Sequence, residues 1–315
     1  MLKKYFVGSL YAGVGGVCLG FKNAGFKLQW ANEYDKNACI TYRKNFNHTL
    51  YEEDIWNLNP KNLKYVDILT AGFPCQPFSV AGYRKGFEDK RGNHFFRILK
   101  YIDVLKPKVI FLENVKNLVG HDSGNTIKVI KDSLSEKGYR FFYRVLNSKD
   151  YGNIPQNRER IFIVAFDPER VKKFNNFKFP EKIKLKKNIH DILEIEKQED
   201  KYYYSQEHKY YPELIKTMTS KDTVYQWRRI YVRENKSKVC PTLTANMGTG
   251  GHNVPLINDN FGIRKLTPRE CFSFQGFPKS YILPNISDSK LYMQVGNSVT
   301  TTLIQRIANE IMSVI

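Results

Sequence analysis

Short apolar runs alternate with amphipathic segments through the first half of the chain. The runs predict strands at residues 5–10, 28–32, 66–71, 108–112, 140–147 and 160–166. Helical spacing of apolar positions predicts helices that reach residues 21–24 and cover 35–45, 95–105 and 126–137. Strands that are apolar throughout are buried on both faces, and helices between them are typical of crossover connections. The first half is therefore predicted to be α/β, with a parallel, doubly wound sheet.

The pattern changes at Asp167-Pro168, and from there to about residue 284 the chain is rich in lysine, tyrosine and turn-forming residues. Helical spacing returns only at residues 300–315. We expect a second, smaller domain of mostly irregular and β structure, after which the C-terminal segment returns to the first domain. The predicted division is 1–178 plus 286–315 for the first domain and 179–285 for the second.

The charge of the chain indicates its class of partner. The formal net charge is +19 and the pI is about 9.5, which favours polyanions, nucleic acid above all. The alternative is a basic protein without such a partner. Mean hydropathy is −0.48, no apolar run approaches the roughly 20 residues of a membrane span, and the N-terminus lacks the features of a signal peptide. We expect no membrane association.

One of the five cysteines stands in an unusual position. Cys75 is part of Pro74-Cys75-Gln76-Pro77, directly after the predicted strand 66–71. Ligands of α/β sheets bind at the carboxyl ends of strands, so this thiol is placed for chemistry, although a buried structural cysteine is the alternative. The chain has no Cys-x-x-Cys pair, so neither a metal site nor a disulfide framework is predicted, and a reducing cytoplasm fits.

A glycine-rich turn after the first strand indicates a nucleoside cofactor. The turn contains Gly13, Gly15 and Gly16, and Glu33 ends the next strand at the spacing of an acid that binds ribose hydroxyls. An ordinary strand–helix turn is the alternative. Neither feature distinguishes NAD from S-adenosylmethionine.

One further polar motif ends a predicted strand, and another begins one. Glu113, in Glu113-Asn114-Val115, ends the strand that begins at residue 108, at the same sheet edge as Cys75, where burial would raise its pKa and make it an acid. Arg158 and Arg160 enter the strand at 160–166 on the same face and could hold a phosphate or a base edge. A helix-capping glutamate and a solvated arginine ladder are the structural alternatives.

The order of these motifs is more specific than any one of them. Glycine turn, Glu33, Pro-Cys-Gln-Pro, Glu-Asn-Val, Gln-Asn-Arg-Glu-Arg and, last, Gln294-Val295-Gly296-Asn297-Ser298-Val299 occur in this sequence. The chain closely resembles the DNA (cytosine-5)-methyltransferases, especially the compact prokaryotic HhaI-type enzymes of restriction–modification systems. The resemblance covers nearly the whole chain and is weakest at residues 169–238. It departs at Ser9, where many members carry aspartate, and at Asn153, an extra residue.

The resemblance implies a Rossmann-like S-adenosylmethionine-dependent methyltransferase domain and a target-recognition domain. Cys75 would attack C6 of a flipped cytosine as the thiolate, Glu113 would contact N3 and the exocyclic amine, and Arg160 would hold O2. Arg158 would support the site. C5 would then take the methyl group, with S-adenosylhomocysteine as the product, and no metal would take part.

The resemblance also implies a cofactor pocket. Tyr11 would stack on adenine, Glu33 would bind the ribose, and Asp54-Ile55 would meet the adenine edge. Asn297 and Ser298 would complete the methionine end. The full expected set is Tyr11, Gly13, Gly15, Gly16, Glu33, Tyr34, Asp54, Ile55, Phe73, Pro74, Asn297 and Ser298.

The predicted recognition domain contains candidate DNA-binding residues. Basic, amide and aromatic groups interleave at residues 225–233, and a Thr-Leu element leads into a glycine loop at 246–251. Base readout and phosphate contact are both open for this cluster. The candidates are Gln226, Arg228, Arg229, Arg233, Thr242, Gly248, Gly250 and Gly251.

The sequence favours one of three functions. Cytosine-5 methylation of double-stranded DNA is favoured over methylation of RNA by the size of the recognition domain and its glycine loop. A non-catalytic DNA-binding protein is disfavoured because Cys75, Glu113 and Arg160 are all present. We expect a monomer on DNA, located in the cytoplasm at the nucleoid, that works alongside a restriction endonuclease without contacting it.

Overall fold

The computed structural model describes residues 4–74, 94–228, 230–250 and 253–315. Its large sheet contains β1 (Phe6–Leu10), β2 (Lys27–Asn32), β3 (Thr49–Tyr51), β4 (Ile68–Gly72), β5 (Val109–Val115), β6 (Arg140–Asn147) and β7 (Glu159–Phe166). The helices are α1 (Gly16–Asn23), α2 (Lys36–Asn45), α3 (His94–Leu105), α4 (Asn125–Glu136), α5 (Ser148–Tyr151), α6 (Tyr211–Thr217), α7 (Pro268–Ser273), α8 (Asp288–Asn297) and α9 (Thr301–Met312). A smaller sheet contains β8 (Tyr225–Arg228), β9 (Tyr231–Glu234), β10 (Leu256–Asn258) and β11 (Ile263–Lys265).

The strand order of the large sheet is β3-β2-β1-β4-β5-β7-β6. Strands β1 to β5 pair in parallel, as the sequence predicts for β1, β2, β4 and β5, whereas the short β3 was not predicted. The prediction of a parallel sheet is wrong for β7, which runs antiparallel to both β5 and β6. The segment between β6 and β7 contains only the one-turn α5, which is too short for a crossover helix, so the chain turns back beside its own strand.

Both faces of the large sheet are covered by helices. Along β5, Ile110 and Leu112 pack toward α3 and α4, whereas Val109 and Phe111 pack toward α1 and α9. Helices α1 and α9 approach closely because Gly20 lacks a side chain, since a Cβ there would lie 2.5 Å from Ile304. This alternation explains why the strands are apolar throughout, and it confirms the predicted doubly wound α/β architecture.

The second half of the chain contains more helix than the sequence predicts. The expectation that helical spacing returns only at residues 300–315 is wrong, because α6, α7 and α8 lie before it. Each of these helices has ten residues or fewer, too short for a clear periodicity. Helix α7 begins with a capping box in which Thr267 and Glu270 satisfy each other's backbone groups.

A buried ion cluster holds the smaller sheet to α7. The guanidinium of Arg264 makes two bonds to the carboxylate of Glu270, at 2.8 and 2.7 Å, and a third to Asp259 at 2.6 Å. Arg264 and Glu270 are fully buried, so these bonds compensate for the lost solvation of the charges. The predicted boundary between the two domains stays a prediction.

The part of the chain that the structure describes holds no helix with the length and apolar character needed to cross a bilayer.

Candidate active site and candidate DNA-binding hairpin

A cavity of about 470 Å³ opens at the carboxyl ends of β1, β2, β4 and β5. It brings together twelve of the residues predicted from sequence: Tyr11, Gly13, Gly16, Glu33, Tyr34, Phe73, Pro74, Glu113, Arg158, Arg160, Asn297 and Ser298. These residues come from six separate stretches of the chain. The parallel strands β1, β2, β4 and β5 bring the first four stretches to one edge because their carboxyl ends point the same way, whereas the start of the antiparallel β7 and the end of α8 supply the other two.

The glycine turn at the start of α1 has a backbone that favours glycine. Gly13 and Gly15 have φ values of +55° and +80°, and Gly15 is the N-cap of α1. A Cβ at Gly16 would lie 2.6 Å from the hydroxyl of Ser298, and one at Gly15 would lie 2.3 Å from Phe46. Gly15 does not line the cavity, so its bare backbone serves the packing against α2.

Glu33 braces this turn. Its carboxylate accepts hydrogen bonds from the backbone N–H of Gly13 at 2.7 Å and of Tyr34 and Asp35 at 2.9 Å each. Burial raises the pKa of this carboxyl, and the three hydrogen bonds oppose the rise. The acid predicted to bind ribose thus also sets the position of the turn.

Tyr11 is fixed at the mouth of the cavity by two features. Its backbone is left-handed, with φ +53°, and its hydroxyl is 3.0 Å from Nδ1 of His94, the first residue of α3. Asp54 and Ile55, predicted at the adenine edge, do not line the cavity; Asp54 acts electrostatically on both Tyr11 and His94. The carbonyl of Ile55 accepts bonds from Arg97 and Tyr101, so this segment is anchored to α3.

Glu113 and Arg160 form an ion pair inside the cavity. Residues Gly72 and Glu113 are register partners in β4 and β5, and Val115 and Arg160 are partners in β5 and β7. The antiparallel β7 therefore carries Arg160 to within 3.2 Å of the Glu113 carboxylate. Burial raises the pKa of Glu113, and the charges of Arg160 and Arg158 oppose the rise.

Arg158 is a structural tie behind the cavity. Its guanidinium donates to the carbonyls of Leu243 at 2.6 Å and Gly296 at 3.1 Å, and also to the carbonyl of Ser298. Leu243 lies in the segment between β9 and β10, whereas Gly296 and Ser298 lie at the end of α8. Burial, followed by the nearby charge of Arg160, lowers the pKa of Arg158.

Cys75 lies outside the described residues, which end at Pro74 on this side of the gap. Pro74 and Phe73 both line the cavity. The carbonyl of Phe73 accepts a hydrogen bond of 3.0 Å from the side chain of Asn114, a buried residue that sequence reasoning quoted only as part of a motif. Asn114 thus ties the end of β4 to the end of β5.

The cavity contains lining residues that the sequence analysis did not select, among them Lys290, Met293 and Gln294 of α8. The signal available for Gln294 was its place at the head of the last motif. In the described chain, three residues that line the cavity each have one buried side-chain polar atom without a hydrogen-bond partner: Nε of Arg158, Nε2 of Gln294 and Oγ of Ser298. Unpaired buried polar atoms are costly and uncommon, so their concentration in the wall of this cavity is consistent with a polar ligand.

A metal centre has no support in the described ranges, where no group of three or more His, Cys, Asp or Glu side chains is placed to hold an ion. Four described cysteines, Cys18, Cys39, Cys240 and Cys271, are free and buried.

The candidate DNA-binding residues are far less buried. Gln226, Arg228 and Arg233 lie on the hairpin of β8 and β9, where the amide oxygen of Gln226 accepts from Arg228 at 3.1 Å and from Arg233 at 2.5 Å. Thr242 donates to the carbonyl of Asn157 at 2.6 Å. Arg229 and Gly251 lie outside the described residues.

The glycines of the 246–251 loop differ in their surroundings. A Cβ at Gly248 would lie 2.4 Å from the carbonyl oxygen of Ser289, so its bare backbone permits close packing on α8. Gly250 has φ +85° and is exposed. The DNA-binding roles of both glycines stay predictions.

The two departures from the resemblance do not disturb the core. Asn153 has φ +51°, and its side chain accepts from the backbone N–H of Lys186 and Lys187, which anchors the chain between the two sheets. Gln156 is fully buried and donates to the carbonyl of Phe274 at 2.6 Å. Ser9 is buried in β1.

Comparison with protein families gives a match over residues 5–313 to the C-5 cytosine-specific DNA methylases. The chain is 57% identical over 309 residues to the type II methyltransferase M.Bsp6I of Bacillus sp. (strain RFL6), which covers 97% of this chain and 98% of the relative. It is 39% identical over 322 residues to the type II methyltransferase M.HhaI of Haemophilus parahaemolyticus, covering 96% and 93%.

Solved structures share the fold. A mutant DNMT2 of Spodoptera frugiperda superimposes with a TM-score of 0.73 at 21% identity over 99% of both chains. A putative DNA modification methyltransferase encoded within an E. coli prophage gives a TM-score of 0.71 at 21% identity, again over 99% of both chains. The family that the order of the motifs predicts is therefore confirmed, and the chain belongs to the C-5 cytosine-specific DNA methylases.

Proposed function

We propose that this enzyme transfers a methyl group from S-adenosylmethionine to C5 of a flipped cytosine in double-stranded DNA, through a covalent bond between Cys75 and C6. The observation that carries the proposal is the cavity itself. The glycine turn with Glu33, the buried pair of Glu113 and Arg160, and the segment that leads to Cys75 all meet there. An acid, a cation and a polar ligand pocket at one sheet edge are what methylation of cytosine requires.

The proposed chemistry overcomes the low reactivity of cytosine C5. Addition of the Cys75 thiolate to C6 makes C5 nucleophilic, and loss of the C5 proton later expels the thiolate and restores the ring. Glu113 keeps its proton more readily than an exposed glutamate because burial raises its pKa, so it donates to N3 of the base as the ring gains electron density. Arg160, held 3.2 Å from Glu113, donates to O2.

S-adenosylmethionine supplies the methyl group when bound and leaves as S-adenosylhomocysteine. The residues proposed to hold it are Tyr11 and the turn at Gly13 for the adenosine, and Asn297 and Ser298 for the methionine end. The unpartnered Oγ of Ser298 and Nε2 of Gln294 support a polar ligand at that end. No metal takes part in the proposed reaction.

The chain divides, in this proposal, into a catalytic part (1–178 and 286–315) and a target-recognition part (179–285). The hydrogen bonds of Arg158 support this division, because they join the carbonyl of Leu243 in the second part to the carbonyls of Gly296 and Ser298 in the first. The target cytosine would enter between them, since the reacting atoms are inaccessible inside a duplex.

The biological role proposed is modification in a restriction–modification system. The support is the resemblance to type II methyltransferases along nearly the whole of their length. We propose that the enzyme acts as a monomer on DNA in the cytoplasm, at the nucleoid, and shares a target sequence with an endonuclease that it does not contact.

The test is a trapping experiment. A duplex that carries 5-fluorocytosine at the target position should form a covalent adduct, visible by denaturing electrophoresis, only when S-adenosylmethionine is present. Cys75→Ser should form no adduct and transfer no methyl group while still binding the duplex. Retained methylation by Cys75→Ser would contradict the assignment of the nucleophile.

The substrate class is tested in the same assay. Bisulfite sequencing of plasmid DNA from cells that express the enzyme should show 5-methylcytosine in one short sequence. Transfer to RNA in preference to duplex DNA would overturn the proposal.

A further inference from the structure

One face of the hairpin of β8 and β9 carries the hydrogen-bond donors of two arginines. Antiparallel register pairs Gln226 with Arg233 and Arg228 with Tyr231. Since side chains alternate along a strand, these four residues share one face. The opposite face packs Tyr225 and Val232 into the small core of the recognition region.

The hairpin projects from its sheet. Strand β8 meets β10 only at the pair of Tyr225 and Leu256, so the described residues 226–228 pair with β9 alone. Trp227 stacks on Tyr210 with ring centroids 4.2 Å apart, which stiffens the base of this two-stranded ribbon. A ribbon of this kind has the width of the major groove of B-DNA.

Gln226 is committed to the two arginines. A guanidinium only donates hydrogen bonds, so the amide oxygen of Gln226 must face Arg228, at 3.1 Å, and Arg233, at 2.5 Å. Glutamine reads adenine by accepting from N6 and donating to N7 together. With its oxygen engaged by both arginines, Gln226 is not available for that bidentate contact.

The exposed face is therefore dominated by donors. Among the described residues of the face there is no carboxylate, and Arg228 and Arg233 are both exposed. In the major groove guanine presents two neighbouring acceptors, N7 and O6, whereas thymine presents only O4 beside a methyl group, and adenine and cytosine each present an amino donor. Donors that meet an amino group leave both groups without a partner, which costs affinity.

We propose that Arg228 and Arg233 read guanine in the major groove of the target sequence, and that Gln226 is a positioning residue that holds the two guanidiniums side by side. This inference rests on the proposed function and deepens it, since it names the base that the recognition region selects. The arginines touch the DNA, whereas Gln226 acts through them.

The experiment begins with the target sequence that the wild-type enzyme selects by binding from a pool of randomised duplexes, a selection that does not require methyl transfer. Each guanine of a synthetic duplex is then replaced in turn by 7-deazaguanine, which lacks the N7 acceptor. At one guanine at least, the Kd should rise about 5- to 150-fold, the range for loss of a bidentate base contact. Inosine at the same position keeps N7 and O6, and it should leave the Kd unchanged.

The variants connect this effect to the hairpin. Arg228→Ala and Arg233→Ala should lose affinity for the natural duplex and show little further loss with 7-deazaguanine at the sensitive position. Gln226→Leu removes the acceptor and should relax the preference for guanine there, whereas Gln226→Glu keeps an acceptor for both arginines and should restore it. Lys131→Ala, which removes an exposed charge on α4, is the matched control and should change neither binding nor preference.

The outcomes separate the two proposals. If methylation proceeds normally but no guanine position responds to 7-deazaguanine, or if both arginine variants weaken binding equally for all sequences, the hairpin contacts phosphates and this inference is wrong. If the wild-type enzyme binds a guanine-containing duplex with the expected sensitivity but transfers no methyl group to cytosine, this inference holds and the proposed function fails.

Discussion

The cavity at the edge of the large sheet and the hairpin of the small sheet both depend on arginines, but they hold them in opposite ways. Arg158 is buried and donates to main-chain carbonyls, so its position follows from the path of the chain. Arg228 and Arg233 are exposed and share one side-chain acceptor, Gln226. The first arrangement fixes an arginine through main-chain contacts, and the second fixes two arginines through one side chain.

This contrast has an energetic basis. A buried charge must have its hydrogen bonds satisfied, so a substitution at Arg158 leaves several carbonyls unpaired at once. An exposed guanidinium exchanges its partner for water at little cost in stability. A substitution at Arg158 is therefore expected to affect folding, whereas one at Arg228 or Arg233 is expected to leave the fold intact.

The largest expected effect comes from Arg158→Met. Loss of the three bonds to Leu243, Gly296 and Ser298 should lower the free energy of unfolding by about 3–5 kcal/mol. Urea denaturation followed by circular dichroism measures it. Arg228→Met is the matched control, and its free energy of unfolding should stay within about 0.5 kcal/mol of the wild-type value. Equal losses of stability in the two variants would contradict the proposed difference between the two regions.

Gly296→Ala should have the next largest effect. A Cβ at this position would lie 2.1 Å from the backbone of Thr244, so α8 and the segment that contains Thr244 must move apart. We expect a loss of about 1–3 kcal/mol in stability and weaker cofactor binding, measured by thermal unfolding with and without S-adenosylmethionine. Gly120→Ala, at φ −92° with no atom within 4 Å of the new Cβ, should be tolerated, and a similar loss there would point to a general effect of removing glycine.

Glu113→Gln should change how stability depends on pH. The folded-state pKa of Glu113 is raised by burial, so the folded protein holds this proton more tightly than the unfolded chain does. The stability it contributes is present below the unfolded pKa and is lost as pH rises through the folded value. Wild type should therefore lose stability with rising pH relative to Glu113→Gln, at no more than about 1.4 kcal/mol per pH unit.

Unfolding titrations between pH 4 and 9, roughly the span over which raised carboxyl pKa values fall, measure this difference. The matched control is Glu159→Gln, whose carboxylate lies near the surface beside Lys116. If the free energy of unfolding depends on pH in the same way for wild type and Glu113→Gln, the cavity does not raise the pKa of Glu113.

Tyr11→Phe should have the smallest effect. It removes the hydrogen bond of 3.0 Å to His94, worth about 0.5–1.5 kcal/mol, and leaves the ring in place. Isothermal titration calorimetry should show S-adenosylmethionine binding weakened by roughly tenfold or less. Tyr143→Phe, an exposed tyrosine on β6, is the control; an unchanged Kd for Tyr11→Phe would mean that the His94 contact does not position the ring.

Individual elements show where sequence reasoning succeeded. The apolar runs at residues 66–71 and 108–112 became the central strands β4 and β5, because only an apolar strand survives burial on both faces. Glu113 was placed at the same edge as the end of β4, and the register pairs it with Gly72. Parallel strands make such an inference possible, since their carboxyl ends meet.

Other features could not be obtained in this way. The reversal of β7 carries Arg160 to Glu113, yet an apolar strand has the same pattern in either direction. Helix α8 supplies Gln294 to the cavity from a short segment with little periodicity. The commitment of Gln226 to two arginines depends on cross-strand register, which turn geometry sets and composition does not reveal.

The sequence by itself determined the family, the doubly wound half of the fold and most of the residues around the cavity, because local patterns and motif order carry that information directly. Only the tertiary structure decided that Arg158 is a structural tie, that Gly248 and Gly296 serve close packing, and that Gln226 faces its neighbours. These properties arise from contacts between residues far apart in the chain or across a register. The free energy of such contacts depends on distance and burial, and neither quantity can be read directly from the amino-acid sequence.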